Sequence, residues 1–494
     1  MNSNQPESNI RPATVLGLFL ALLGLGYFAY LCASIWPYTM DDSFISFRYA
    51  RNLVQGHGLR FNPTDSAPAE GFTSALWLIA MVPAFLLRIP ADIYAKEINL
   101  CFAIGTAVLI ALSIREGREN ERWSPLVGLL SLGGAAAYLC FFPVAIITVS
   151  GMETALSSFL ACAGVFQVLR FNRPRGAGSY LLFAVTLLLM GLARPDLNLV
   201  ALILLATAVR TSPEVSERRQ LLRAGALYVC AGALYFGWRW SYFSSFLPLP
   251  FYIKGTGAGL QGLGSVLSFL TEPLIAALLL LSLGARRRML GFLIAAIAYI
   301  VFFTKPVHLM GEGHRFLMPI VPLLIVTGFS TIDRVVHAAS KRIVVVIATI
   351  LLVMASAASL DRTERDFLNI YADGLKSSYG AMGLKLGSVK TTGTVAVSSV
   401  GLISYLSNWT VVDMFGLCNA EIAKHPDRRI PVIFASKPDF IMLASSSRNE
   451  YRPLVSQHRS EFNQAIYEKA VSERYRLTQV LEFIPGFYLF VLEK

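Results

Sequence analysis

The chain has 494 residues, of which 55% are hydrophobic and only 15% charged, and its mean hydropathy is +0.56. An average soluble chain is about 25% charged, so the composition excludes disordered, collagenous and disulfide-stapled proteins and leaves a polytopic membrane protein. The formal net charge is +12, from 43 Lys and Arg against 31 Asp and Glu. In a membrane protein such an excess collects in cytoplasmic loops, and its distribution here speaks for that rather than for nucleic acid.

A spanning helix needs about 20 mostly apolar residues. In chain order the candidates are Val15–Trp36, Ile98–Ile114, Pro125–Ile147, Thr154–Leu169, Ser179–Ala193, Leu197–Ala208, Ala224–Phe243, Gly264–Leu283, Met289–Phe303, Phe316–Ile332 and Ile343–Leu360. The first is too long for the apolar core of a signal peptide and no small-residue cleavage site follows it, so it reads as a retained helix. Phe72–Leu87 is also apolar, but Pro83 interrupts it, and it reads as an interfacial helix. The expected fold is a polytopic α-helical membrane protein with about 11 transmembrane helices, one interfacial helix and a C-terminal soluble α/β domain.

With Phe72–Leu87 at the interface, 17 Lys and Arg, from Arg11 to Arg342, fall in loops on one side. The opposite short loops hold only Arg194, Lys254, Lys305 and Arg315, plus five in the long loop 37–97. This asymmetry places the N-terminus in the cytoplasm. Residues 1–360 then form the transmembrane domain, with loop 37–97 outside the cytoplasm, and residues 361–494 form an extracytoplasmic, periplasmic domain. Strand-like runs at Thr394–Ser399, Thr410–Asp413 and Phe440–Leu443 alternate there with helix-like stretches such as Glu461–Ala470. Five of six cysteines lie in apolar stretches, and Cys418 alone lies in the tail, so no disulfide framework is expected there.

Chemistry gathers just past the first span. Asp41-Asp42 are adjacent carboxylates, and a carboxylate beside a polarised hydroxyl acts as a general base. The competing reading is a pair of acids at the N-terminus of a helix covering Ser43 to Val54. That helix carries Arg48 and Arg51, suited either to hold an anionic phosphate or to snorkel at the interface. His57 and Glu70 follow in the same loop. Glu153 and Asp196 stand at span ends on the same side, Glu153 as a ligand-facing acid or a helix cap. Arg194 pairs with Asp196 or holds phosphate, and Arg239, Lys254, His314 and Arg315 are further cations on that side. His57, His308 and His314 lack metal-ligand spacing, so no cofactor is expected, and a divalent cation at Asp41-Asp42 would need further oxygens. The run Trp238, Trp240, Tyr242, Phe243 reads first as an interfacial aromatic belt and second as a sugar platform.

The segment DDSFISFRYARNLVQGHGLRFNP followed by EGFTSALW resembles the first loop of GT-C membrane glycosyltransferases, above all the bacterial arabinofuranosyltransferases. SGMETAL (150–156), LARPD (192–196), YFSSFLPLPFYIK (242–254), HRFLMPIVPLL (314–324) and VVDMFGL (411–417) resemble later family blocks in order. The resemblance implies an inverting transfer of a sugar, arabinofuranose among the candidates, from a polyprenyl-phosphate donor to a glycan, glycolipid or protein at the outer face of the bacterial cytoplasmic membrane. It implies a role in cell-envelope or cell-wall biogenesis, with membrane lipid as the only other partner and no nucleic acid. It makes Asp41 the expected base, with Asp42 orienting the acceptor or supporting Asp41. Two positions depart from the family: Leu249 stands where Asn is common, and Glu312 is the nearest acid ahead of the Arg-Phe block. The alternative is a multi-span transporter or glycolipid flippase, which would place charges near the membrane midplane in repeated halves. No repeat is visible, and the charges gather at one face.

Overall fold

The computed structural model describes residues 11–118, 124–171, 173, 175–254, 259–306, 310–332, 341–389, 393–454 and 460–494. Arg122, His308 and Arg334 lie outside the described residues, as do the side chains of Arg11, Lys254 and Lys341.

A helix lies at each of the expected apolar stretches. These are α1 (Arg11–Ser34), α4 (Ala91–Glu116), α5 (Pro125–Cys140) with α6 (Phe142–Val149), α7 (Thr154–Arg170), α8 (Ala177–Ala193), α9 (Leu197–Thr211) and α10 (Val215–Phe243). There follow α12 (Leu263–Thr271) with α13 (Pro273–Ser282), α14 (Arg287–Phe302), α15 (Val321–Thr331) and α16 (Lys341–Ala357). Between them stand α2 (Asp41–Val54), α3 (Ala75–Leu86) and α11 (Leu249–Lys254). By length and composition, four of the described helices can cross a membrane unaided, or up to six if each bent pair is one span. The eleven expected spans therefore correspond to helices of very unequal length. The bends are 59° between α5 and α6 and 81° between α12 and α13. At the second, Glu272 is extended (φ −56°, ψ 126°) because Pro273 follows it. At about 1.5 Å per residue, the 12 residues of α3 reach about 18 Å, short of a bilayer core of about 30 Å.

Leu234, Leu280, Leu283 and Met354 are largely exposed on the helical part, with many other large apolar side chains. Surfaces of this kind are covered by lipid rather than water. The centre is filled by α6 and α15, which are buried along their whole lengths. On α1, Gly17 and Gly24 face α5 so closely that a Cβ would come within 3.1 Å of the Leu129 Cα and 3.0 Å of the Ala136 Cα. Small residues let helix backbones approach, and the gain is van der Waals contact.

After Asp361, which caps α17 (Arg362–Leu375) through the Thr363 N–H, the chain builds a small sheet domain. Helices α18 (Ala381–Val389), α19 (Gly401–Ser407), α20 (Ala420–Lys424), α21 (Arg429–Ala435) and α22 (Ser460–Ser472) surround β1 (Thr394–Val397), β2 (Thr410–Asp413), β3 (Phe440–Ser445), β4 (Arg476–Ile484) and β5 (Phe487–Glu493). The order is β2-β1-β3-β5-β4. β1 pairs parallel with β2 and β3, whereas β5 runs antiparallel to β3 and β4. The β4–β5 hairpin turns at Pro485-Gly486, where Gly486 has φ +78°, the conformation a type II turn asks of its third residue.

Candidate functional site

The acid pair opens α2. Met40 precedes it in extended conformation and contributes no side-chain cap. Its N–H is held by the Ser150 carbonyl at 3.0 Å, at the end of the central helix α6. The competing expectation, that the acids serve their own helix, is not how Asp41 is used. Its Oδ2 accepts the Gly401 N–H at 3.0 Å and its Oδ1 the Leu402 N–H at 2.7 Å, so it caps α19 in the distant sheet domain. Its own N–H donates to the Tyr371 hydroxyl at 3.2 Å. Asp41 is 2% exposed. Burial pushes its carboxyl up to about 6, against the pull of the two N–H donors. The Asp42 side chain is 18% exposed, and its Oδ2 lies 3.8 Å from the Arg315 guanidinium.

The two arginines expected to hold phosphate have other partners. Arg48 is buried and donates to Phe61 O (2.7 Å), Asn62 Oδ1 (3.0 Å), Ser404 O (2.5 Å) and Trp409 O (2.8 Å). Arg51 donates to Tyr405 O at 2.7 Å and lies over the Tyr405 ring. Both therefore tie α2 to α19, and Arg48 also reaches Trp409, just before β2. Asn62 completes the seam by exchanging hydrogen bonds with the Val411 backbone, 3.0 Å each way. Bonds to a charged donor contribute about 1.5–3 kcal/mol each. Arg48→Met removes four charge-assisted hydrogen bonds and is expected to destabilise the protein by at least about 3 kcal/mol. Thermal unfolding in detergent reads this, and an unchanged midpoint would remove Arg48 from the seam.

The scattered sequence blocks converge. Glu153 stands at the start of α7 without capping it, and pairs instead with Arg194 at 3.3 Å. Arg194 also pairs with Asp196 at 3.1 Å, and the Tyr299 hydroxyl donates to Asp196. The Arg194 guanidinium lies 5.5 Å from the Phe316 ring, which Arg315 also approaches, at 4.7 Å. One aromatic ring thus links the buried trio to the cation beside Asp42. Trp77, from the first-loop block, donates to Gly151 O at 3.1 Å.

Arg239 grips Glu70 with its Nε at 3.1 and 3.0 Å from the two oxygens, and its remaining donors reach Ser245 O and Phe246 O. Burial raises the Glu70 carboxyl to about 7 against the opposing pull of Arg239. Leu249, where the family favours Asn, donates its N–H to Glu70 O at 3.1 Å. His314 lies 3.4 Å from Glu272 at the α12–α13 bend. The His57 side chain is exposed beyond the end of α2. Lys254 ends α11, with its side chain outside the described residues. Among the described residues no group of three or more His, Cys, Asp or Glu gathers as a metal site requires.

Several participants were not among the expected site residues. Glu312, in a short 3-10 turn before Arg315, has its carboxyl raised by burial and feels the charges of Arg315, Glu364 and Asp42. Glu364 accepts the Gly313 N–H at 2.9 Å. Tyr371, Gly401 and Leu402 come from the sheet domain. The one local signal for the last pair is a Gly following the β1 run and opening an apolar helical stretch.

A family described as a domain of unknown function (DUF8728) matches residues 369–488. A terminal beta-(1->2)-arabinofuranosyltransferase of Corynebacterium glutamicum is 29% identical over 149 residues, 29% of this chain; the match spans about a fifth of that relative (20%). ArnT from Cupriavidus metallidurans, in a structure bound to undecaprenyl phosphate, superposes with a TM-score of 0.62 at 13% identity over 97% of each chain. The oligosaccharyltransferase AglB of Archaeoglobus fulgidus, in complex with an inhibitory peptide and a dolichol-phosphate, gives 0.50 at 10% identity, over 85% of this chain and 69% of the other. Nothing in these likenesses supports a transporter or flippase. The apolar helices, the small C-terminal sheet domain and their order along the chain are those of the fold of ArnT.

Proposed function

We propose that the protein is an inverting glycosyltransferase that takes a sugar from a polyprenyl-phosphate donor and passes it to a hydroxyl of a glycan, glycolipid or protein. The reading is carried by one observation: an acid pair at the start of α2 stands against Arg315, within a fold shared with a structure bound to a polyprenyl phosphate. A carboxylate of the pair takes the acceptor's proton as its oxygen attacks the anomeric carbon. The bond from that carbon to the phosphate oxygen breaks, and the electron pair leaves on the polyprenyl phosphate. Attack opposite the phosphate inverts the centre. The leaving phosphate is a stable anion, so no general acid is required, and Arg315 is the cation placed to receive it. Arabinofuranose is the sugar we assign first, supported by the partial likeness to the arabinofuranosyltransferase.

In this reading residues 1–360 form the transmembrane domain of a bacterial cytoplasmic-membrane enzyme. Loop 37–97 and residues 361–494 lie outside the cytoplasm, serving cell-envelope biogenesis. Purified protein given a panel of polyprenyl-phosphate sugars is expected to release polyprenyl phosphate with one of them. Use of sugar nucleotides, with every lipid-linked sugar left intact, overturns the donor class. Reporter fusions after Pro63 and after Asp373 are expected to report from outside the cytoplasm, and a cytoplasmic signal from either overturns the orientation.

A further inference from the structure

The turn that carries Arg315 has an unusual backbone. Met310, Gly313 and His314 have φ of +52°, +60° and +50°, a region that residues with a side chain rarely adopt. Such a backbone persists only where its surroundings hold it. Here the anchors come from three elements. The Glu364 carboxylate of α17 accepts the Gly313 N–H at 2.9 Å. The His314 ring stands 3.4 Å from Glu272 at the α12–α13 bend. Gly313 lies against the buried helix α6, where a Cβ would come within 2.9 Å of the Ile146 Cβ.

The helix that supplies Glu364 has a second duty. Two turns further along α17, the Tyr371 hydroxyl accepts the Asp41 N–H at 3.2 Å, at the start of α2. Residues i and i+7 share one face of a helix and lie about 10 Å apart at 1.5 Å per residue. That face is buried: Leu368, between the two, is 0% exposed and Tyr371 7%. One helix thus touches both halves of the site, the acid pair and the Arg315 turn. α17 is itself fixed on either side. Asn369 donates to Ser34 O at the end of α1, at 3.1 Å. The Tyr371 ring packs edge-on against Tyr38 and against Phe483 of β4, with centroids 5.6 and 5.2 Å apart.

We propose that α17 is a spacer for the transfer: Glu364 holds the turn bearing Arg315 and Tyr371 holds the start of α2, so that acid pair and cation keep the separation into which a sugar phosphate fits. This rests on the glycosyl-transfer reading and holds whichever acid of the pair is the base. Glu364 and Tyr371 are positioning residues, acting through the backbone of Gly313 and Asp41.

The test uses the full chain in detergent or nanodiscs, with Glu364→Ala, Glu364→Gln, Glu364→Asp and Tyr371→Phe. A misplacement of about 1 Å costs on the order of 10²-fold in rate. Glu364→Ala is expected to lower kcat by about 10–100-fold and to weaken binding of a polyprenyl-phosphate analogue by about tenfold, because the cation moves. Glu364→Gln keeps an acceptor oxygen for the Gly313 N–H and retains most of both. Tyr371→Phe keeps the ring packing and acts on the acid side alone, so kcat falls by about tenfold with analogue affinity within about twofold of wild type. Wild-type behaviour of Glu364→Ala, a loss in Glu364→Gln as large as in Glu364→Ala, or a wild-type kcat in Tyr371→Phe each overturns the proposal. Where Glu364→Ala does not fold, Glu364→Asp takes its place. It keeps the charge, withdraws the oxygens by one methylene and is expected to lose at least about threefold in kcat. A wild-type rate there overturns the proposal as well.

Amide hydrogen exchange over residues 313–317 supplies a readout independent of any activity. It is expected to speed up in Glu364→Ala and to stay at the wild-type rate in Tyr371→Phe. Unchanged exchange in Glu364→Ala overturns the contact itself. Faster exchange in a protein that transfers from no lipid-linked donor upholds the contact and overturns the transfer reading instead.

Discussion

Replacing the base of the acid pair, tested as Asp41→Asn and Asp42→Asn, is expected to lower sugar transfer by about 10²–10⁴-fold in at least one of the two variants, the range a general base contributes. The substitution keeps size and shape and removes the proton acceptor. Arg48, Arg51 and Asn62 still tie α2 to the sheet domain in either variant, so the protein should fold and insert as before. The affinity for a non-hydrolysable donor analogue should change little, because the analogue offers no proton to accept. Near-normal turnover in both variants would remove the acid pair from the mechanism.

Arg315→Met is expected to weaken binding of a polyprenyl-phosphate analogue by about 10–150-fold. That is what about 1.5–3 kcal/mol for a charge-assisted bond corresponds to at 1.4 kcal/mol per tenfold. Arg315→Lys should fall between, since lysine keeps the charge and loses the planar fork. Among the expected cations, Arg48, Arg194 and Arg239 are bonded on several sides to protein oxygens. Arg51 lies against Tyr405. Titration of the analogue against purified variants decides the matter. If Arg315→Met binds as tightly as wild type, the phosphate is held elsewhere, and Lys254 is the next residue to replace.

The positions of the helices were legible because lipid exposure writes itself into composition: long apolar runs have no other stable use. Their bends were less so. A short interruption such as Glu272-Pro273 looks like a detail in a hydropathy pattern, yet it turns the chain by 81°. In the sheet domain the short parallel strands stood out as β-branched runs, and β2 matches its expected range from Thr410 to Asp413. The β4–β5 hairpin was missed although Pro485-Gly486 marks its turn, since β4 is largely exposed and lacks the apolar run of a buried strand.

For the site, the types of residue were readable and their partners were not. Arg48 carries the same charge whether it meets a phosphate or the Ser404 carbonyl. What decides is a stretch of chain 356 residues away. Glu153 and Arg194, 41 apart, belong to two blocks whose pairing no local spacing reveals. The division between Asp41 and Asp42 was beyond sequence for a simpler reason: the two side chains are identical and adjacent, and only the surface each one faces separates them.

The bond between Asp41 and Gly401 spans 360 residues, almost three-quarters of the polypeptide. At synthesis rates of about 5–20 residues per second, α2 emerges roughly 20–70 s before its partner exists. Throughout that interval the acid pair has neither α19 to cap nor Arg315 beside it, since both are encoded later. A truncated or partly inserted chain therefore holds an acid pair without either of these contacts. Pairing of the first loop with the sheet domain therefore waits until that domain has been made.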